Sequence, residues 1–183
     1  QFRPISGGFT HYPRINDNGD VVWSENRSGT NWDIYLFSGS STSILSESSM
    51  NNRYPQINNA GQAVWSSVIA DRFDYSNMYH VVFYDGVSRR NIEQPGYRAM
   101  TAQINRDGVI AWISEHPIYS DVCVWDGTIT NRLQIPGTYN WNARIADNGF
   151  VVWQGTEMIT NWATADWEIF LYDGSDIIQI TDN

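Results

Sequence analysis

Aromatic side chains recur beside Arg, Asn and His in the segments that separate the more apolar stretches of this 183-residue chain. Such groups can bind a sugar or a protein, because rings cover apolar C–H surfaces while neighbouring polar groups form hydrogen bonds. We therefore interpret these segments as the candidate binding surface. Its members are Tyr12, Trp32, Tyr54, Tyr75, Tyr97, Arg98, His116, Tyr119, Trp141 and Trp162.

Catalytic patterns are sparse. The sequence contains no Gly-x-Ser-x-Gly, no phosphate-binding loop and no His-Glu-x-x-His. A lyase needs a base beside a charge-neutralising group, and the candidates are His116 with Tyr119 and Tyr97 with Arg98. His80 occupies a repeat position that holds an acid elsewhere, so we interpret it as structural.

Two sets of acids also recur. Three glutamates follow the second strand of their repeats and could supply the carboxyl pair of a glycoside hydrolase, which needs a separation of roughly 5–10 Å. They are Glu25, Glu115 and Glu157. Three aspartates occupy tight turns, where a carboxylate more often caps the turn than binds calcium. They are Asp17, Asp107 and Asp147. The sequence predicts neither a metal nor a cofactor.

Composition excludes several classes of function. Eleven basic residues against twenty acidic ones give a net charge of −9, and no stretch supplies the basic face that a nucleic acid requires. Cys123, the single cysteine, lies in an apolar run and is predicted to be buried. No apolar run is long enough to span a membrane. We expect an extracellular or periplasmic protein, although no signal peptide is visible at Gln1.

The sequence contains an internal repeat, and the structural units that it encodes must hold the candidate binding residues in place. Each repeat has an anchoring Ile, a Gly four residues later and a Trp eight residues later. The anchors are Ile15, Ile57, Ile104 and Ile145, and the tryptophans are Trp23, Trp65, Trp112 and Trp153. The repeats cover approximately 13–54, 55–101, 102–142 and 143–183 of one domain, 1–183.

Each repeat reads as four strands joined by tight turns, as at Asp17-Asn18-Gly19. Four antiparallel strands in about 45 residues are typical of a propeller blade. A lone blade would expose two apolar faces, so the blades should stack, with the four repeated tryptophans in the core between them. The sequence therefore predicts an all-β fold, a β-propeller of four four-stranded antiparallel blades.

The repeats carry a consensus, Pro-x-Ile-Asn-x-x-Gly-x-Val-Val-Trp followed by Asp-x-Tyr-Leu-Phe-x-Gly, and the last one ends in Ile180-Thr181. This pattern resembles the propeller repeats of the TolB family and their secreted relatives. The resemblance covers nearly the whole chain and implies the architecture. It also implies a choice of functions, namely a protein-docking platform, a carbohydrate-binding domain or, in larger forms, a polysaccharide-cleaving enzyme.

The number of blades in the ring leaves three alternatives. Residues 2–6 resemble an additional outer strand, although the last repeat already completes the fourth blade. We expect a closed four-bladed ring. Two chains could instead form an eight-bladed ring as a homodimer, or the chain could be part of a larger propeller.

The function that we expect is a non-catalytic recognition module. The module would bind a glycan or a protein through the aromatic-rich loops on one face, because loops on a rigid scaffold commonly carry binding sites. The alternative is a polysaccharide lyase or glycoside hydrolase of propeller type, or a fragment of one. A purely structural repeat is the third possibility.

Overall fold

The computed structural model describes residues 9–26, 31–47, 49–68, 79–92, 98–157 and 165–182. The described residues form four groups of four antiparallel strands. The first two groups are β1 (Phe9–Ile15), β2 (Val21–Asn26), β3 (Asp33–Ser38) and β4 (Ser41–Ile44), then β5 (Asn51–Ile57), β6 (Ala63–Val68), β7 (Tyr79–Tyr84) and β8 (Arg89–Asn91). The last two groups are β9 (Arg98–Ile104), β10 (Ile110–Glu115), β11 (Ser120–Trp125) and β12 (Thr130–Leu133), then β13 (Thr138–Ile145), β14 (Val151–Glu157), β15 (Glu168–Tyr172) and β16 (Ile177–Gln179).

Each group is one blade, whose strands pair in chain order. A parallel pairing of Tyr79 in β7 with Arg98 in β9 joins the second and third blades into one eight-stranded sheet. The first strands β1, β5, β9 and β13 contact one another in sequence across the blades, which places them at the inner edge. The predicted all-β propeller architecture of four-stranded blades is confirmed. The strands show that each blade begins before the boundary taken from the repeat alignment, since Asn51–Ile57 already pairs with β6. The additional outer strand predicted at 2–6 lies outside the described residues. Within the described ranges, no helix could cross a membrane.

Three of the four repeated tryptophans form the core between blades, as predicted. Trp65, Trp112 and Trp153 are at most 1% exposed. Each packs against the blade that precedes it in the chain, as Trp153 does against Ile113 and Val122 of the third blade. Burying one tryptophan removes about 150–250 Å² from water, so these contacts contribute a large apolar area to the packing between blades.

A ladder of asparagine side chains links the inner turns. The amide of Asn16 donates to the Asn58 carbonyl at 3.0 Å, and that of Asn58 donates to the Asn105 carbonyl at 3.0 Å. Asn105 continues the ladder to the Ala146 carbonyl at 3.1 Å. The fourth blade has Ala146 at the equivalent position, where no side-chain donor exists. The ladder therefore ends at the fourth blade.

The expected closed four-bladed ring is not what the described residues form. Close packing joins the first blade to the second, the second to the third and the third to the fourth. Trp23 of the first blade is only half-buried, although its counterparts are almost fully buried. On the fourth blade, Val152 and Ile178 are 38% and 42% exposed. The described blades are therefore an open array with an uncovered apolar face on the fourth.

Candidate functional site

A cleft of about 520 Å³ lies between the fourth blade and the end of β10 in the third blade. Its described lining combines two indoles, a phenol, an amide and a carboxylate, and we call it the indole cleft. The lining residues are Glu115, Tyr139, Trp141, Gln154 and Trp167. Small-molecule sites usually measure about 300–1,000 Å³ and combine apolar walls with a few polar groups. The indole cleft therefore has the size and composition of a binding site.

The strand register places the cleft residues together. Trp141 of β13 pairs with Gln154 of β14, so both side chains lie on one face of the sheet. Gly155, the next residue of β14, pairs with Asn140. A Cβ at Gly155 would come within 2.7 Å of the Phe170 ring, so only glycine permits this close packing behind the cleft.

A β-bulge follows Trp141. The register of β13 against β14 shifts between Trp141 and Arg144, and Asn142 has a φ of 60°. The equivalent inner-strand residues Tyr12, Tyr54 and Thr101 have φ values of 57°, 59° and 52°. Left-handed backbone is unfavourable for Tyr and Thr, although Asn tolerates it, and a bulge re-aims the neighbouring side chains. All four blades therefore redirect side chains at the same end of the inner strand.

The carboxylate of Glu115 is held by two partners. The Tyr139 hydroxyl donates a hydrogen bond to Oε1, and Nη1 of Arg98 lies 3.3 Å from Oε2. The Arg98 guanidinium also stacks on the Tyr79 ring, with Cζ 4.9 Å from its centroid. The Glu115 side chain is only 10% exposed. Because Arg98 offsets the charge of Glu115, the cleft has little net charge of its own.

The structure brings together only part of the predicted binding surface. Trp141 lines the indole cleft, and Arg98 lies behind it on Glu115. His116 and Tyr119 stack on each other with centroids 4.0 Å apart, and they are not part of the described lining. Three predicted residues lie outside the described residues, namely Tyr75, Tyr97 and Trp162.

The remaining predicted residues lie at the junction of the first and second blades. The rings of Tyr12 and Tyr54 are 4.5 Å apart, and Trp32 contacts His11 edge-on at 4.9 Å. This aromatic cluster is separate in sequence and blade from the indole cleft.

Sequence reasoning missed Gln154 and Trp167, and it noted Tyr139 without selecting it. Trp167 directly precedes β15, as Trp32 directly precedes β3, so the repeat alignment that pointed to Trp32 could have found Trp167. Gln154 follows the repeated Trp of its blade, where the first two blades have Ser24 and Ser66 and the third has Ile113. That departure from the repeat is a usable signal.

The three glutamates that follow the second strands have different hydrogen-bond and ion-pair partners. Glu25 accepts a hydrogen bond from Nε1 of Trp23 at 2.9 Å, whereas Glu115 pairs with Arg98 and Glu157 is exposed. Among the described residues, no group of three or more His, Cys, Asp or Glu side chains could hold a metal ion. Glu115 is the one carboxylate in the described lining of the cleft.

The position held by His80 is used structurally in other blades, in line with the interpretation above. In the first blade the Asp33 carboxylate accepts from the Ser46 hydroxyl at 3.0 Å, and that hydroxyl accepts from the Ile34 N–H at 2.9 Å. The fourth blade repeats this arrangement with Glu168 and Thr181. The acid thus fixes the end of the outer strand against the start of the third strand.

His116 supplies a pH-dependence prediction. Burial lowers its pKa below 6.5, although Asp121, whose Oδ2 lies 3.8 Å from Nε2, favours the charged form. The unfolded chain therefore binds more protons than the folded chain as the pH falls through 6.5, and the free energy of unfolding should decrease there. In urea titrations at intervals between about pH 7.5 and pH 5.5, His116→Gln should show a shallower decrease than the wild type. Equal slopes for both proteins would contradict the prediction.

The acids with lowered pKa act in a different pH range. Hydrogen bonds from the backbone lower the pKa of Asp85, Asp126 and Asp173 below 3.8, so their contribution to stability is lost only at lower pH. The free energy of unfolding depends on pH with one slope in the wild type and another in His116→Gln. The difference between these slopes near neutral pH therefore reports the protonation of His116.

Known protein families and curated proteins give no match to this chain, but solved structures do. An acylaminoacyl peptidase from Pyrococcus horikoshii matches with a TM-score of 0.68 and 18% identity, over 95% of this chain and 27% of the peptidase. The β-propeller domain of the Trilobed protease from Pyrococcus furiosus, described as having an open velcro topology, matches with a TM-score of 0.67 and 17% identity, over 98% and 56%. A protein described as TolB from Agrobacterium tumefaciens matches with a TM-score of 0.65 and 14% identity, over 97% and 68%.

These similarities establish a β-propeller fold related in shape to TolB and to peptidase propeller domains. The chain spans between 27% and 68% of the length of these three structures. The resemblance to TolB-like repeats is therefore confirmed for the fold.

Proposed function

We propose that this chain is a non-catalytic recognition module that binds a glycan in the indole cleft. The observation that carries the proposal is the pairing of two indoles, Trp141 and Trp167, with the Gln154 amide and a charge-compensated Glu115. Indole faces suit the apolar C–H faces of a sugar ring. The amide, phenol and carboxylate can hydrogen-bond the hydroxyl groups around it.

The electrostatics favour a neutral ligand. Two indoles beside a carboxylate would also suit a quaternary ammonium ion, which binds over aromatic faces. Arg98 lies 3.3 Å from Glu115 and offsets the negative charge that such a cation would need. A ligand rich in hydroxyl groups can still use the remaining acceptor capacity of Glu115. We therefore choose a neutral saccharide over a cation.

The composition of the cleft also favours binding over cleavage. Glycoside hydrolases need two carboxyl groups within roughly 5–10 Å, and Glu115 is the one carboxylate in the described lining. The Tyr139 hydroxyl donates to one of its oxygens, and Arg98 lies 3.3 Å from the other. His116 and Tyr119, the candidate lyase pair, are not in that lining. A glycan ligand fits a location outside the cytoplasm, either extracellular or periplasmic.

Trp141→Ala should weaken glycan binding at least about tenfold, because tryptophan is enriched among the binding residues whose truncation costs about 2 kcal/mol or more, and tenfold corresponds to about 1.4 kcal/mol. The ligand would first be selected on a glycan array, and its Kd would then be measured by calorimetry for the wild type and the variant. Phe150→Ala is a matched control, since Phe150 is as exposed as Trp141, at 38%, but does not line the cleft.

A reducing-sugar assay on the selected glycan separates recognition from catalysis. The proposal expects binding without release of reducing ends. Release of product that disappears in His116→Gln would support the alternative of an enzyme. Equal loss of binding in the Trp141 and Phe150 variants would place the glycan elsewhere.

A further inference from the structure

The two indoles of the cleft have counterparts in the first blade. His11 precedes its anchor Ile15 by the same four residues that separate Trp141 from Ile145. Trp32 directly precedes β3, as Trp167 directly precedes β15. The His11 and Trp32 rings meet edge-on with centroids 4.9 Å apart. The same repeat positions therefore carry aromatic rings in the first and the fourth blade.

A guanidinium group lies on the ring pair of the first blade. Cζ of Arg53, from the inner strand of the second blade, lies 5.1 Å from the centroid of the Trp32 ring. The Tyr54 ring follows Arg53 in the strand and lies 4.5 Å from the Tyr12 ring. Burial and a hydrogen bond with Tyr12 raise the pKa of Tyr54, which reflects how closely the two phenols pack. A cation, a phenol and two flat rings thus meet at one junction.

The charge of Arg53 distinguishes this junction from the indole cleft. Four other arginines have a carboxylate within 3.5 Å, namely Arg89, Arg98, Arg106 and Arg132. In the part of the chain that the structure describes, no carboxylate forms an ion pair with Arg53. A stacked guanidinium keeps its planar set of donors for a carboxylate or another anion. The group is therefore suited to an anion, in contrast to the compensated Glu115.

We propose that the junction of the first and second blades is a second binding site, which takes the carboxylate of an acidic saccharide. We call it the arginine site and define it by His11, Tyr12, Trp32, Arg53 and Tyr54. Arg53 binds the carboxylate, and Trp32 and His11 contact the apolar face of the sugar ring. The phenols of Tyr12 and Tyr54 hydrogen-bond its hydroxyl groups. An anionic unit binds here, although the chain as a whole carries a net charge of −9.

The test compares two ligands that differ only in charge, a disaccharide of glucuronic acid and its carboxyl-reduced counterpart. Calorimetry at low salt should give at least about tenfold tighter binding of the acid, since only the carboxylate can form charge-assisted hydrogen bonds with the guanidinium group. Arg53→Gln should remove this preference. Arg90→Gln is the matched control, because Arg90 also stacks on a tryptophan, with Cζ 4.8 Å from the centroid of the Trp125 ring.

Each outcome decides the proposal. Equal affinity of the wild type for the two disaccharides, or an unchanged preference in Arg53→Gln, overturns it. A doubly charged acidic dipeptide that binds as tightly as the acidic disaccharide overturns the assignment to a saccharide. Trp141→Ala leaves the acid preference intact if the arginine site stands alone, so this result is independent of the indole cleft.

Discussion

Trp153→Ala is expected to lower the free energy of unfolding by about 3–5 kcal/mol, the range for truncating a buried tryptophan. Trp153 is 1% exposed, stacks on Phe170 with centroids 5.9 Å apart, and donates from Nε1 to Oδ1 of Asn140 at 2.9 Å. Removing the indole leaves a cavity between the third and fourth blades and deprives the Asn140 oxygen of its donor. Urea unfolding followed by far-UV circular dichroism measures the loss.

Trp23→Ala is the matched control, since it removes the same side chain from the equivalent position of the first blade. Trp23 is only half-buried and stacks on Tyr35 of its own blade at 5.5 Å, so we expect about 1–2 kcal/mol. Equal losses in the two variants would mean that stacking between blades does not stabilise the fold as described.

Asn58→Ala is expected to cost about 2–3 kcal/mol, because buried donors and acceptors left without partners lose about 1–3 kcal/mol each. The Asn58 amide donates to the Asn105 carbonyl at 3.0 Å and to Oε1 of Gln62 at 2.8 Å. Its oxygen accepts from the backbone N–H groups of Ala60 and Gln62, at 3.1 and 3.0 Å. One side chain therefore shapes its own turn and joins the second blade to the third.

Asn59→Ala tests whether burial matters in the same turn. Asn59 also bridges two blades, accepting from the Asp17 N–H at 2.9 Å, but both groups are exposed. Water can replace an exposed partner, so the expected loss is below about 1 kcal/mol. The same urea titration measures both variants. If Asn58→Ala lowered the free energy of unfolding as little as Asn59→Ala does, the buried asparagine ladder would not stabilise the contact between blades.

The blade architecture could be predicted because its signals are local. The turn at Gly19 and the strand that contains Trp23 lie within a few residues of each other, and the same offsets recur in every repeat. Short-range turn chemistry and alternation determine such elements without knowledge of the rest of the chain. Closure of the ring could not be predicted in the same way, because it depends on faces far apart in sequence. The half-buried Trp23 is the point at which the described residues depart from that expectation.

The binding surface could be predicted only in part, for the same reason. Trp141 was identifiable from its aromatic and polar neighbours. The contact of Glu115 with Tyr139 joins residues 24 positions apart and exists only because the third and fourth blades stack. The left-handed backbone of Tyr12 and Tyr54 could not be predicted either, since neither residue is a glycine, whose presence would indicate a positive φ.

The most direct test of the glycan assignment is a two-dimensional NMR titration that follows the tryptophan Nε1–H signals as the selected glycan is added. If the indole cleft binds the glycan, the signals of Trp141 and Trp167 shift with saturation, while those of Trp65 and Trp153, buried between blades, stay in place. Unchanged signals from Trp141 and Trp167 at saturation would contradict the account.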